Sequence, residues 1–184
     1  MTATISEVFG NGTGSFGLEG NLAAVATATG VSPGATGADN VVAVFSIPAN
    51  SFDQAGRVLQ ITASGSFAAN GDTKTVKIII NPASAVVGST VGSGGTTLAS
   101  TGAVATNGTG YQLQASVIKY GAAGSNTQVG LHNQAQIGAA VASMAVPASL
   151  TMAENLPILV AVTANCATTA TDVVHNALVV GVSN

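Results

Sequence analysis

The chain has 184 residues, four Lys or Arg, seven Asp or Glu, and a formal net charge of −3 at pH 7. Charged residues make up 6% of it, against about 25% in ordinary soluble domains. Four cations are too few for the basic patch that phosphate binding requires, so we expect no nucleic-acid partner. No apolar run reaches the roughly 18 residues of a membrane-spanning helix, so no membrane partner is expected either.

Residues 1–40 are rich in glycine and carry scattered apolar side chains, among them Phe9, Phe16 and Leu18. This composition predicts an extended N-terminal arm or loop that packs on something else or is joined to the domain that follows. The first ten residues, MTATISEVFG, have neither a basic nor an apolar run, so we predict no signal peptide.

The segment 41–48 predicts a strand that ends at Pro48, because proline cannot donate to a β-ladder. Its predicted apolar face carries Val41, Ala43, Phe45 and Ile47.

Residues 57–81 give the clearest local pattern. Apolar residues alternate with polar ones from Leu59 to Phe67, and they alternate again from Val76 to Ile80. Between them, Asn70 and Gly71 form the dipeptide that favours a tight turn. The pattern predicts a β-hairpin.

Later segments complete an all-β prediction. Residues 111–121 alternate, with Leu113, Ala115 and Val117 on the apolar face. Residues 157–166 and 173–184 are apolar on both faces, so we expect a second segment or a second subunit to cover them. Leu, Glu, Lys and Arg, which favour helices, are scarce throughout. The predicted fold is an antiparallel β-sandwich, jelly-roll-like, over 41–184, with the N-terminal arm over 1–40.

Three patterns match catalytic templates by chance. Gly12, Gly14 and Gly17 fit a dinucleotide fingerprint but lack its strand and helix context. The run 30–34 fits a nucleophile elbow, yet Pro33 has no N–H to donate to an oxyanion. The S-x-x-K run 116–119 would place its two functional side chains on opposite faces of a strand. We therefore predict no catalytic residue, no cofactor and no enzymatic activity.

The remaining reactive side chains are assigned structural roles. Cys166 is predicted to be a buried thiol. The two histidines, His132 and His175, are predicted to be polar residues of the surface or of an interface. No metal site is predicted, although the sequence leaves open a weak calcium site built from acidic residues, namely Asp53, Asp72 or Asp172.

Residues 41–121 carry a family resemblance. A strand ending in IPA is followed by RVLQITASGSF, then by TVKIIIN, then by LASTG and YQLQA. This order resembles a pattern found in jelly-roll structural proteins of tailed bacteriophages: capsid decoration (cement) proteins, head fibres and tail-fibre domains. The resemblance implies a homotrimer.

Within that group, a short chain with few charges and a loose arm favours a cement protein on the capsid surface of the virion, bound to the major capsid protein and made in the host cytoplasm. Phe9, Phe16 and Leu18 are then the anchors of the arm, or else ordinary core residues of the same subunit. The alternative is a fibre domain that binds a host carbohydrate. Tyr111 and Tyr120 are the aromatic residues available for such a groove.

Overall fold

The computed structural model describes residues 20–105, 108–144 and 148–183, and this part of the chain is all-β. One 3-10 turn, Ala170–Asp172, precedes the last strand. The strands are β1 (Gly20–Val31), β2 (Asn40–Ile47), β3 (Val58–Phe67), β4 (Lys74–Ile80), β5 (Thr96–Ser100), β6 (Gly110–Lys119), β7 (Gln128–Ile137), β8 (Ala140–Met144), β9 (Ala148–Leu150), β10 (Ile158–Cys166) and β11 (Val173–Ser183).

The strands form two antiparallel sheets that pack face to face. The seven-stranded sheet has the order β1-β11-β3-β6-β7-β8, with β9 also paired to β7, and the four-stranded sheet has the order β2-β10-β4-β5. If β7, β8 and β9 are set aside, two four-stranded halves remain whose order and chain crossings are those of a jelly roll. The predicted antiparallel β-sandwich is confirmed, and β7–β9 extend one sheet of it.

Part of the predicted arm over 1–40 is a β-strand. Residues 20–31 form β1, which pairs with β11 at the edge of the seven-stranded sheet. Residues 1–19 lie outside the described residues. The Ala- and Thr-rich run of β1 lacks period-two alternation, so its sequence pattern does not distinguish a strand from a loop.

The core lies between the sheets and is built from the inward residues of alternating strands. Leu59, Ile61, Leu113, Val160 and Val180 are all at most 1% exposed. Complete burial of a side chain of this kind contributes about 1.5–3 kcal/mol. The predicted inward face of β6 is confirmed, with its glutamines and Ser116 half-buried on the other side.

The predicted hairpin over 57–81 is wrong. Strand β3 pairs with β11 and β6, whereas β4 pairs with β10 and β5 in the other sheet. Residues 68–73 therefore cross from one sheet to the other. Each of the two strands has an apolar face. Because β3 and β4 lie in sheets that face each other across the sandwich, both apolar faces are buried. The alternation that predicts a hairpin is identical for strands that face each other in this way.

The crossing is fastened by Lys74, which is fully buried. Its Nζ donates to the backbone carbonyl of Asn70 at 2.9 Å and to Asn70 Oδ1 at 2.6 Å. Asn70 Nδ2 donates in turn to Asp172 Oδ1 at 2.8 Å, which ties the crossing to the turn before β11. One buried ammonium thus organises the backbone of a polar loop.

The outer face of the four-stranded sheet is covered by the chain itself. Val41, Ile79 and Ala161 are buried there, apart from the main core. The connection 81–95 lies against them: its Ser89 carbonyl accepts a hydrogen bond from the Val41 N–H, and its Gly95 approaches Ile79. A segment of the same subunit therefore covers the second face of β10.

Three of the four residues predicted for the apolar face of β2, namely Ala43, Phe45 and Ile47, do face the core. An irregularity in the pairing of β2 with β10 lets Val42 face the core, and Val41 lies on the opposite face of the sheet. A bulge of this kind cannot be recognised in an apolar run such as VVAV, because the residues that point to either face are all apolar.

At the other end of the sandwich, Lys119 and Glu154 form an ion pair of 2.6 Å with exposures of 0% and 1%. Lys119 Nζ also donates to Ser125 Oγ at 2.7 Å. Glu154 accepts from Gln128 Nε2 at 2.7 Å and from the Gly124 N–H at 3.0 Å. Together the contacts join residues 119–128, around the β6–β7 turn, to Glu154 in the segment before β10, so the pair holds two distant parts of the chain together.

We expect Lys119→Met to lower the free energy of unfolding by about 3–5 kcal/mol, because it leaves the Glu154 carboxylate buried without its counter-charge. Lys77→Met is the matched control: its partner Asp39 lies at 2.6 Å, but both side chains are partly exposed, so the loss should stay under about 1 kcal/mol. Urea unfolding measures both. Equal losses in the two variants would contradict the assigned role of the buried pair.

Candidate interaction surface

The outer face of the seven-stranded sheet carries an unbroken group of amide and hydroxyl side chains, which we call the amide face. Its members come from β3, β6 and β7, where they alternate with the buried core residues of the same strands. They are Gln60, Thr62, Ser64, Gln112, Gln114, Ser116, Gln134 and Gln136.

Strand register brings these side chains into rows across the sheet. Thr62 is opposite Gln114, which is opposite Gln134. In the next row, Ser64 is opposite Gln112, which is opposite Gln136. Side chains directly opposite one another stand about 4.5–5.5 Å apart at Cβ. The two rows therefore form one contiguous polar surface rather than scattered positions.

The amide face bears no charge because the cations of the chain are engaged elsewhere. Lys74 and Lys119 are fully buried, and Lys77 is paired with Asp39. Arg57 donates to the Ser51 carbonyl at 2.7 Å and to Asp53 at 3.2 Å. None of the eight members of the amide face is ionic, so a partner that covered them would remove no charged group from water.

On one side the amide face continues into smaller, less polar residues of β11. Val179 lies opposite Thr62, and Ala177 lies opposite Ser64. Both are half-buried. The surface thus changes gradually from amides to short aliphatic side chains, without an intervening charge.

The sheet is large enough for a protein interface. Five neighbouring strands, β1, β11, β3, β6 and β7, have ten or more residues each. At about 4.8 Å between strands and about 3.3 Å per residue, they span roughly 24 Å by 33 Å, or about 800 Å². That is about the area that each partner contributes to a stable protein–protein interface.

A shallow hollow of about 210 Å³ lies at one end of the amide face, lined by Gly110, Tyr111, Gln112, Gln136 and Gly138. Pockets for drug-sized ligands measure about 300–1,000 Å³. The hollow is therefore a local feature of a broad surface.

The predicted anchors Phe9, Phe16 and Leu18 lie outside the described residues, as does the glycine fingerprint of 12–17. Pro33 follows the end of β1 and is buried. Ser116 and Lys119 are on opposite faces of β6, as the strand pattern predicts. The S-x-x-K match therefore does not bring a hydroxyl and an amine together.

The three acidic residues considered as possible calcium ligands lie in two separate regions. Asp53 pairs with Arg57, while Asp72 accepts a hydrogen bond of 2.5 Å from Thr168 Oγ1, and Asp172 binds Asn70. Within the described residues, no group of three or more His, Cys, Asp or Glu is arranged to hold a metal ion.

Cys166 is buried, as predicted. Burial is the main cause that raises the pKa of its thiol. The thiol donates a weak hydrogen bond of 3.7 Å to the Ala170 carbonyl. It behaves as part of the core.

The prediction for His175 is wrong, because this residue is 3% exposed. An irregularity in the pairing of β11 with β3, between His175 and Ala177, accompanies its inward position. Its Nδ1 shares a hydrogen bond of 3.1 Å with the Tyr111 hydroxyl, which occupies the space that a side chain at Gly65 would need. Burial lowers the pKa of His175 to about 4 and raises that of Tyr111.

No family model, curated protein or solved structure matches this chain. In the part of the chain that the structure describes, no helix is long and apolar enough to cross a membrane. The amide face itself has a sequence signal, namely the alternating glutamines at 112 and 114 and again at 134 and 136. What the sequence lacks is the register that places the two pairs side by side.

We expect acid to destabilise the fold through His175. Its pKa is about 4 in the folded state and 6.5 in its ordinary state, so the unfolded chain binds the extra proton first as the pH falls. The contribution of the neutral imidazole is complete above pH 6.5 and is lost towards pH 4, by about 3 kcal/mol. Urea unfolding at several pH values measures it.

His175→Gln, which keeps an acceptor for Tyr111, should remove this part of the pH dependence, and His132→Gln should keep it. A pH slope that persists unchanged in His175→Gln would refute the assignment.

Proposed function

We propose that this chain is a non-enzymatic structural protein of a bacteriophage virion, and within that class a capsid decoration (cement) protein. In this role, copies of the chain dock on the outside of the shell and bridge neighbouring subunits of the major capsid protein. The effect is mechanical, since each bridge opposes the outward pressure of the packaged DNA.

The amide face is the observation that carries the proposal. Charged groups are depleted at the centre of protein–protein interfaces, because an ion removed from water must be paired there. The amide face, which lies on three of the five strands of this surface, contains Gln, Ser and Thr without a charge and so avoids this penalty. Its amides can still form directional hydrogen bonds, so the same surface remains compatible with water before assembly.

Two further features support the phage assignment. The strand order is that of a jelly roll, a fold used by many virion proteins. The sequence pattern of residues 41–121, which resembles phage structural proteins, corresponds to β2 to β6, so it covers the part of the fold that bears most of the amide face.

A homotrimer is the proposed assembly state. Closed symmetry repeats each weak contact several times, so modest individual contacts add to a stable attachment. Multi-angle light scattering on the purified chain measures the mass of the particle. A monomer at all concentrations would contradict the trimer.

The first test of the function is immunogold labelling of virions from the phage that carries this gene. Gold over the heads is the expected result. Gold confined to tail or fibre tips would overturn the cement assignment and favour the carbohydrate-binding fibre domain.

The second test addresses the amide face. We expect Gln114→Arg to weaken binding to heads stripped of this chain by at least about tenfold, because an unpaired charge would be buried at the contact. Ser46→Arg, at an exposed position of β2 in the other sheet, is the matched control and should bind like the unmodified chain. Co-sedimentation with the heads measures both. Equal binding by the two variants would exclude the amide face as the docking surface.

A further inference from the structure

We infer that Lys74 and Asn70 become joined by an isopeptide bond, formed within the folded chain with Asp172 as the acid–base group. The site is the crossing 68–73, where a lysine, a carboxamide and a carboxylate meet at the end of the sandwich. It is separate from the amide face and does not depend on the proposed function.

The nucleophile is Lys74 Nζ, which lies 2.6 Å from Asn70 Oδ1 and is completely buried. Among the described residues, no carboxylate oxygen lies within 4.0 Å of this nitrogen, whereas Lys119 has Glu154 at 2.6 Å. A buried ammonium without a counter-ion is costly, and amide formation removes that charge. The environment of Lys74 therefore favours the product.

The electrophile is the Asn70 carboxamide. Its Oδ1 accepts hydrogen bonds from Lys74 Nζ and from the Asp72 N–H at 3.1 Å. The Asp72 N–H can stabilise negative charge that develops on this oxygen, as in an oxyanion hole. On the other side, Asn70 Nδ2 donates to Asp172 Oδ1 at 2.8 Å, so the leaving group already contacts the acid.

The acid–base group is Asp172, which is 3% exposed. Its Oδ1 is engaged with Asn70, but its Oδ2 is buried and has no hydrogen-bond partner among the described residues. A buried carboxylate oxygen without a partner is unfavourable. It is also a free position for a proton, as a general base requires.

The proton relay runs through the Asn70 carboxamide, whose two ends contact Lys74 and Asp172: the Lys74 ammonium gives a proton to Asn70 Oδ1 while Nδ2 gives one to Asp172. The neutral amine then attacks Asn70 Cγ, a new N–C bond forms, and a second proton passes from Nζ to Nδ2. Asp172 returns its proton to Nδ2, the C–Nδ2 bond breaks, and the released ammonia takes the proton from Oδ1 and leaves as ammonium. No oxidant, reductant or metal takes part.

Proximity makes the reaction feasible without a further enzyme. The reacting groups are four residues apart and already in contact in the folded chain, so most of the entropy of bringing them together has been lost on folding. The bond would fix the crossing between the two sheets covalently. A competing reaction exists: the Gly71 nitrogen can attack the same Asn70 carbon to give a succinimide, which also releases ammonia.

Intact mass spectrometry of the full chain, purified and then denatured, tests the inference. The expected mass is lower than that of the sequence by one ammonia, about 17 Da. Fragmentation of the protease-digested chain should recover residues 70 and 74 in one cross-linked piece that resists cleavage after Lys74. A full sequence mass would overturn the inference, and this readout on the unmodified chain does not depend on any variant folding.

Matched variants locate the bond. Lys74→Arg and Asp172→Asn should restore the full mass, and Lys77→Arg, at the neighbouring lysine in the same strand, should keep the loss. A mass loss that persists in Lys74→Arg would identify the succinimide and overturn the isopeptide. A cross-link mapped instead to Lys119 and Gln128, a second buried lysine and a buried amide of the same network, would overturn the site.

Discussion

The need to close both open ends of the sandwich constrains the rest of this molecule. A two-sheet fold leaves loop carbonyls and hydroxyls at each end, and those groups require donors once they are shielded from water. Lys74 closes one end, where the chain crosses from β3 to β4, and Lys119 closes the other, where it turns from β6 to β7. Each ammonium offers three donors, which suits several acceptors better than any neutral side chain does.

This use of lysine accounts for the character of the surface. Half of the four cations lie inside, and the other two are engaged with neighbouring acceptors. Hydroxyl and amide side chains then provide polar groups at the surface, as they do on the amide face. The buried polar networks and the uncharged amide face thus both accompany the small number of cations, two of which lie in the interior.

The sequence predicts the fold class because period two is a property of single strands. Residues 59–67 and 113–117 show it without help from the rest of the chain. Sheet membership is not local: the same alternation fits a hairpin or two strands that face each other, and the choice depends on β10 and β11, about 100 residues away. Asp172, the partner of Asn70, and Glu154, the partner of Lys119, are distant in sequence for the same reason. His175 faces inward where the pairing of β11 is irregular, which no pattern in VVHNALVV reveals.

The two sheets differ in what lies outside them. The connection 81–95 covers the outer side of the four-stranded sheet, while the outer side of the seven-stranded sheet presents the amide face. The subunit therefore has a front and a back that cannot be exchanged. In any regular array the two orientations of the subunit would differ in energy, so all copies should adopt the same one. The layer they form would then present the connection 81–95 on one side and the amide face on the other.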